Sequence, residues 1–411
     1  MRGGALLVEW PERAPGVLGP NRLDIRLSMG STPETRNIHL GASGSWGPRL
    51  GRIEAMADFL LRLPAWARAH TQYLQGDASA RAYARLEADG QLAVLMDQPR
   101  QPDGPPIRGG LPYSRIAHLA EDVRPFVAVA SVLKDAGLSA PEIYATDLDR
   151  GFLLLEDFGE RIFAREIANG ASQEELWRAA VEALVALSAV PVPDAIPLAD
   201  GSTYRVPAQD KGALAIETEL VPDWYWPALK GAPIPDDARV EFTSLWDDVI
   251  SRLVALPTCL VLRDFHSPNL MWLPERRGGA RAGLLDFQDA LIGPAAYDLV
   301  SLLEDARVDV PEALETALFS EYCAARRAAD ATFDNEAFSF AYAALGAQRN
   351  TKILGIFARL AKRDAKPQYL KHIPRIWRYA ERSLAHPELG GLRAWYDRHL
   401  PPDLRAAMLN I

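Results

Sequence analysis

A chain of 411 residues, 48% hydrophobic, 24% charged and 9% aromatic, is globular in composition and too long for one ordinary core, which implies two packed lobes plus a terminal appendage. Forty-five basic residues against 54 acidic ones leave a net charge of −9, so neither nucleic acid nor an anionic membrane is an expected partner. Cys259 and Cys323 make neither a disulfide framework nor a zinc site. With no long apolar run and no basic-then-apolar leader pattern, a cytoplasmic protein without an obligate protein partner is expected.

Residues 1–50 read as short β-like runs, ALLVEW, RLDIRLS and RNIHLGA, parted by Pro, Gly and Asn turns; such a piece cannot bury a core alone. A helical pattern covers residues 53–69. QGDASARAYARLEADGQLAVLMDQP then gives two strand-like runs joined by Asp89-Gly90, a hairpin signal. VRPFVAVASVLKDAG predicts an apolar-periodic helix stopped at Gly137, and PEIYATDLDRGFLLLEDFGE a second hairpin whose last strand is apolar throughout. Beyond residue 160 the pattern turns helical with EELWRAAVEALVALSAV. Pro- and Trp-rich stretches interrupt it up to residue 237, and it resumes near 240–256, 311–328, 335–363 and 369–384. No internal repeat is present. A small β-rich part followed by a larger helical one makes the class α+β.

LVLRDFHSPNLMWL sets Asp264 and Asn269 five positions apart between apolar runs, and GLLDFQDALIGPAAYDL puts Asp286 at the end of the next one. The order R-D-x-x-x-x-N and then D-F is that of protein-kinase catalytic machinery, with Gln288 where protein kinases carry glycine. Moving a γ-phosphoryl group needs a carboxylate to orient the acceptor hydroxyl and take its proton. It also needs an amide oxygen and a second carboxylate to hold Mg²⁺ against the phosphates. Asp264 is then the catalytic base, and Asn269 and Asp286 are the metal ligands. One such motif alone reads equally well as a polar loop between strands; two in order, behind a hairpin–helix–hairpin, do not. His266 reads as a brace for the loop rather than its base, and Asp298 of AAYDL as a helix-start carboxylate bracing the same loop.

These motifs, with LLLEDFGE upstream, resemble the aminoglycoside-phosphotransferase superfamily of small-molecule kinases. Within it, GDASARAYARL, LMDQP, ETELVPDWY and AQRNTKILGIFARL are most similar to the bacterial kinases that phosphorylate N-acetylmuramate and N-acetylglucosamine at the anomeric hydroxyl, over nearly all of residues 52–411. The resemblance implies a two-lobed, protein-kinase-like α+β fold with a small lobe at 51–159 and a large one at 160–411, ATP and Mg²⁺ between them, and a role in cell-wall recycling. It further implies that Gly76, Asp77, Ala78 and Ser79 cap the nucleotide phosphates, and that Glu156, Asp157 and Phe158 form the hinge touching adenine. The chain departs from the wider pattern twice. Met96 stands where a phosphate-anchoring lysine is usual, and Leu262 stands two before Asp264 where many relatives have histidine.

For the acceptor, a small amino sugar, IETELVPDWYWP groups Glu217, Trp224 and Tyr225 as polar and stacking contacts, and Arg349 is a bidentate partner for a lactyl carboxylate. Two alternatives stay open: an aminoglycoside, choline or homoserine kinase of the same fold, and an inactive nucleotide-binding pseudokinase suggested by Met96. LLVEWPERAPGVLGPNRLDIRL resembles the closing strands of the P-loop ATPase of bacterial tRNA threonylcarbamoyladenosine synthesis. No G-x-x-x-x-G-K-[ST] precedes it, so residues 1–50 read as a remnant of a gene fusion or a start-site artefact.

Overall fold

The computed structural model describes residues 6–13, 18–74, 81–407 and 409, and the chain divides into two compact units, Met1–Met96 and Asp97–Ile411. In the first unit, β1 (Arg22–Met29) and β2 (Arg36–Ser43) pair antiparallel, with Ile25 opposite Leu40 and Leu27 opposite Ile38. The expected run before them is not a strand. Residues 6–8 have no regular structure and the chain turns through a 3₁₀ segment at Pro11–Arg13, where proline has no amide to give a ladder. Helix α1 (Trp46–Leu61) starts before the expected pattern and stops short of it. Pro48 falls in the first turn, where no helix bond is lost, and Pro64 bars continuation.

Strand β3 (His70–Leu74) is short and mostly exposed, so it left no signal in the sequence; it pairs antiparallel with β4 (Ala82–Ala88). The turn to β5 (Gln91–Asp97) has Asp89 at φ +49° and Gly90 at φ +76°, the two positive values that a tight twisted hairpin requires.

The second unit opens with a small hairpin, β6 (Pro106–Arg108) and β7 (Leu111–Pro112), running into α2 (Tyr113–Ile116). Helix α3 (Arg124–Asp135) buries Phe126, Val129 and Leu133 and ends as expected: Gly137 takes φ +72° and the Leu138 amide returns to the Leu133 carbonyl at 3.0 Å. Strands β8 (Ile143–Asp147) and β9 (Phe152–Glu156) form the second hairpin. At its turn Gly151 has φ +71°, and a Cβ there would lie 2.1 Å from the Gln98 carbonyl oxygen, so only glycine fits.

The helical part begins with α4 (Phe163–Ala168) and α5 (Gln173–Leu187), the latter capped by Ser172, whose hydroxyl accepts from the Glu175 amide. A minor ladder of β10 (Ile196–Pro197) and β11 (Thr203–Tyr204) precedes α6 (Lys211–Thr218). A π-helical turn at Val221–Tyr225 joins α6 to α7 (Trp226–Lys230), and α8 (Asp236–Leu253) follows. Two short antiparallel ladders come next: β12 (Cys259–Val261) with β15 (Leu291–Gly293), and β13 (Leu270–Trp272) with β14 (Ala282–Leu284). They hold the segments 262–269 and 285–290 between them. Helices α9 (Ala296–Leu303), α10 (Glu312–Ala329), α11 (Asn335–Asp364), α12 (Ile373–Leu384) and α13 (Gly390–His399) follow, with a last helical turn at Pro402–Arg405. The 30-residue α11 is its axis and packs on α6, α9, α12 and the π-helical turn. Gly355 permits that last contact, since a Cβ there would lie 2.4 Å from Leu220. Both cysteines are free, and no described helix is long and apolar enough to cross a membrane.

Candidate active site

The chain leaves β12 into a segment whose second residue, Arg263, takes φ +72°, a conformation a large side chain adopts only when held there. Asp298, in the first turn of α9, does the holding: its buried carboxylate accepts the amides of Leu262 at 2.6 Å and Arg263 at 2.8 Å. Burial outweighs those two bonds and pushes its carboxyl up to about 7. Beyond the other end of α9, the buried Asp305 accepts the Ser267 amide at 2.8 Å and the Arg307 amide at 2.7 Å. One helix therefore clamps the loop at both ends. The expected role of Asp298 agrees with this geometry, while Asp305 left no signal, because a carboxylate in SLLEDARVD matches no spacing rule.

Asn269 closes the loop. Its side-chain amide donates to the Asp264 carbonyl at 3.0 Å and to Asp286 Oδ2 at 3.3 Å. Asp286 sits at φ +59°, and the Gln288 side chain donates to its Oδ1 at 3.1 Å, so glutamine steadies the carboxylate where protein kinases have glycine. Asp264, Asn269 and Asp286 thus converge. Asn269 Nδ2 is committed to donation, which turns its oxygen, beside the Asp286 carboxylate, into the hard donor that Mg²⁺ prefers. Among the described residues no group of three or more His, Cys, Asp or Glu could hold a metal.

His266 is buried, its Nε2 lies 3.3 Å from an Arg307 nitrogen, and its carbonyl accepts the Asn269 amide at 2.8 Å. Burial, then Arg307, hold the imidazole down at about 4, so it is neutral at ordinary pH and braces the loop.

Behind the loop lies a charge cluster that motif spacing did not reveal. Glu217 of α6, 2% exposed, is paired to Arg263 and, at 2.8 Å, to Lys352 of α11, and accepts the Gln348 side-chain amide at 3.0 Å. Lys352 also donates to the Tyr297 hydroxyl at 3.3 Å. Two cations share one carboxylate, and Asp264 supplies the second negative charge. Burial works to raise the Asp264 carboxyl, and the neighbouring positive charges, Lys352 foremost, pull it below the usual range. Asp264 is therefore ionised at ordinary pH and chemically able to accept a proton.

Several expected contacts lie elsewhere. Glu217 is spent on the ion cluster rather than offered to a sugar. Tyr225 is wholly buried, with its hydroxyl accepting from the Trp377 indole at 2.8 Å, so it anchors the core instead of presenting a stacking face. Trp224, beside it in the π-helical turn, is half-buried. Arg349 is 5% exposed and donates to the Glu304 carbonyl at 3.4 Å, so it lies within the fold and not on an open face. The reason is common to these residues: α11 and the π-helical turn are covered on several sides, so polar positions expected on a surface lie inside.

At the expected hinge, Glu156 pairs with Arg276 at 2.7 Å, and that guanidinium stacks 5.0 Å from the Phe158 ring centre. Asp157 accepts the Gly159 amide at 2.7 Å. Met96 is a buried apolar side chain in the first unit. Gly76, Asp77, Ala78 and Ser79 lie outside the described residues.

Residues 70–332 match the phosphotransferase enzyme family, APH. The chain belongs to this family. As a member of it the protein is a phosphotransferase enzyme. It is 41% identical over 341 residues to an N-acetylmuramate/N-acetylglucosamine kinase of Caulobacter vibrioides, covering 81% of this chain and 92% of that one. It is 35% identical over 319 residues to a kinase of the same name from Pseudomonas aeruginosa, covering 77% and 84%. Among solved structures, the GDP complex of wild-type aminoglycoside 2'-phosphotransferase-IIIa superposes with a TM-score of 0.51 at 15% identity, over 80% of this chain and 98% of that one. A putative aminoglycoside phosphotransferase from Ralstonia eutropha gives 0.51 at 15% identity over the same shares. These phosphotransferases share the protein-kinase-like α+β fold.

Proposed function

We propose that this phosphotransferase moves the γ-phosphoryl group of ATP, with Mg²⁺, onto the anomeric hydroxyl of N-acetylmuramate and N-acetylglucosamine, giving the sugar 1-phosphate. The reading rests on one conjunction: the ionised Asp264 beside Asn269 and Asp286, in a chain 41% identical to a kinase named for these two sugars. Asp264 holds the acceptor hydroxyl in line with the γ-phosphorus and takes its proton as the oxygen–phosphorus bond forms and ADP leaves. An anomeric hydroxyl is more acidic than other sugar hydroxyls, so a carboxylate held low still suffices, and positioning does most of the work. Asn269 and Asp286 hold the metal, which when bound offsets the charge on the phosphate oxygens. Glu156–Phe158 serve as the adenine hinge, and residues 51–159 and 160–411 as the small and large lobes.

Purified protein with ATP and Mg²⁺ is offered N-acetylmuramate, N-acetylglucosamine, kanamycin, choline and homoserine, with ADP release and reducing ends followed together. Loss of reducing ends in step with ADP release from the two sugars is expected. Phosphate transfer with reducing ends intact would remove the anomeric assignment, and transfer to kanamycin, choline or homoserine alone would remove the sugar reading.

A further inference from the structure

Arg349 is boxed in, which leaves open what on this protein answers the negative charge that distinguishes N-acetylmuramate from N-acetylglucosamine. Seven residues beyond Lys352 on α11, and so two turns or about 10 Å along the same face, stands Arg359. Its guanidinium packs 5.5 Å from the ring centre of Tyr113, the first residue of α2. Tyr113 lies among the charges of the catalytic cluster: burial raises its phenol, Glu217 adds to that, and Lys352, Arg359 and Arg263 oppose it. The Tyr113–Arg359 pair therefore borders the cluster of Glu217, Lys352 and Arg263 that faces Asp264.

Arg359 differs from its neighbours in having no carboxylate within ion-pair distance, Asp364 acting on it only from further off. Arg263 is paired with Glu217, Arg108 with Glu219 and Arg239 with Asp223, and the nearby Asp364 is taken by Arg363 through contacts of 2.7 and 2.9 Å. Among the described residues no carboxylate forms an ion pair with Arg359, and its Nε is buried without a hydrogen-bond partner. A half-buried cation with an unanswered donor is costly unless something brings the acceptor. We infer that Arg359, seated on Tyr113, receives the lactyl carboxylate of N-acetylmuramate on its guanidinium and so sets the enzyme's preference between the two sugars. The bidentate fork suits a carboxylate, and the ring beneath fixes the plane of the fork before the substrate arrives. This inference rests on the sugar-kinase reading.

The test compares kcat/KM for N-acetylmuramate, its lactyl amide and N-acetylglucosamine in wild type, Arg359→Gln and Arg359→Lys, with melting midpoints taken on all three proteins. In Arg359→Gln the ratio of kcat/KM for N-acetylmuramate over N-acetylglucosamine falls about tenfold or more, through KM. Wild type disfavours the amide by a similar factor, the glutamine variant no longer separates acid from amide, and Arg359→Lys lies between. Should the glutamine variant melt too low to assay, the lysine variant and the wild-type acid-to-amide comparison carry the decision. A ratio that stays within about twofold of wild type, or an amide used as well as the acid, overturns the inference while leaving the sugar-kinase reading intact. If wild type phosphorylates neither sugar, both fall together.

Discussion

Replacing Glu217 with glutamine removes the carboxylate shared by Arg263 and Lys352 while keeping the shape of the side chain. Burial alone would raise this carboxyl; Lys352 and Arg263 instead hold it at about 2, against an ordinary 4.5. Because the folded value lies below the unfolded one, the stabilisation is fully present above about 4.5 and is lost as pH falls toward 2, and it amounts to about 3 kcal/mol. Breaking a buried ion pair costs about the same, roughly 3–5 kcal/mol. Glu217→Gln should therefore lower stability by about 3 kcal/mol in urea unfolding at neutral pH, with the gap from wild type narrowing as pH drops below about 4.5.

The same change leaves Lys352 and Arg263 facing Asp264 alone, so the acid limb of kcat/KM moves to lower pH; Lys352→Met, which removes the leading cation, moves it to higher pH. Shifts of the same sign in the two variants, or a stability gap that ignores pH, would refute the shared-charge account.

Asp264→Asn should lower kcat by about 10²–10⁴-fold while nucleotide binding, followed by equilibrium titration, persists. Gly151→Ala should destabilise by about 2–4 kcal/mol, read as a lowered melting midpoint, since φ +71° and a backbone oxygen 2.1 Å from the new carbon leave it nowhere to go. Burial raises Asp298 to about 7 and Glu304 to about 8, so these groups bind protons more tightly folded than unfolded; their stabilisation is complete below about 4 and is lost as pH climbs through 7 to 8. The melting midpoint of wild type should accordingly fall from about pH 4 to about pH 8, and Asp298→Asn should flatten part of that slope.

The convergence of Asp264, Asn269 and Asp286 was legible in the sequence because phosphoryl transfer calls for these residue types at short spacings, and those spacings survive any change in the surrounding fold. The Asp89-Gly90 turn and the stop at Gly137 were legible for the same reason, each being decided within a few residues by backbone sterics. The ion cluster was not, because it joins residue 217 to residues 263 and 348 across separations of 46 and 131 positions. Periodicity also misled at α11. A helix with Gln348, Arg349, Asn350 and Lys352 in one stretch looks like a solvated face, yet α6, α9 and α12 cover it, and the donors of these four side chains are taken by Glu217 and Glu304. Tyr225 failed similarly, as an aromatic beside acids gives no local sign of whether its hydroxyl meets a ligand or an indole.

Helix α9 grips the loop through Asp298 in its first turn and Asp305 just past its end, three backbone amides of the loop being taken by these two carboxylates at 2.6 to 2.8 Å. A segment pinned at two points to one rigid rod can neither slide nor rotate against it. Whatever opens to admit a sugar and release its phosphate therefore does so around a stationary Asp264, and the amides of Leu262, Arg263 and Ser267 should exchange with solvent deuterium as slowly as the core of α9 itself, through every stage of turnover.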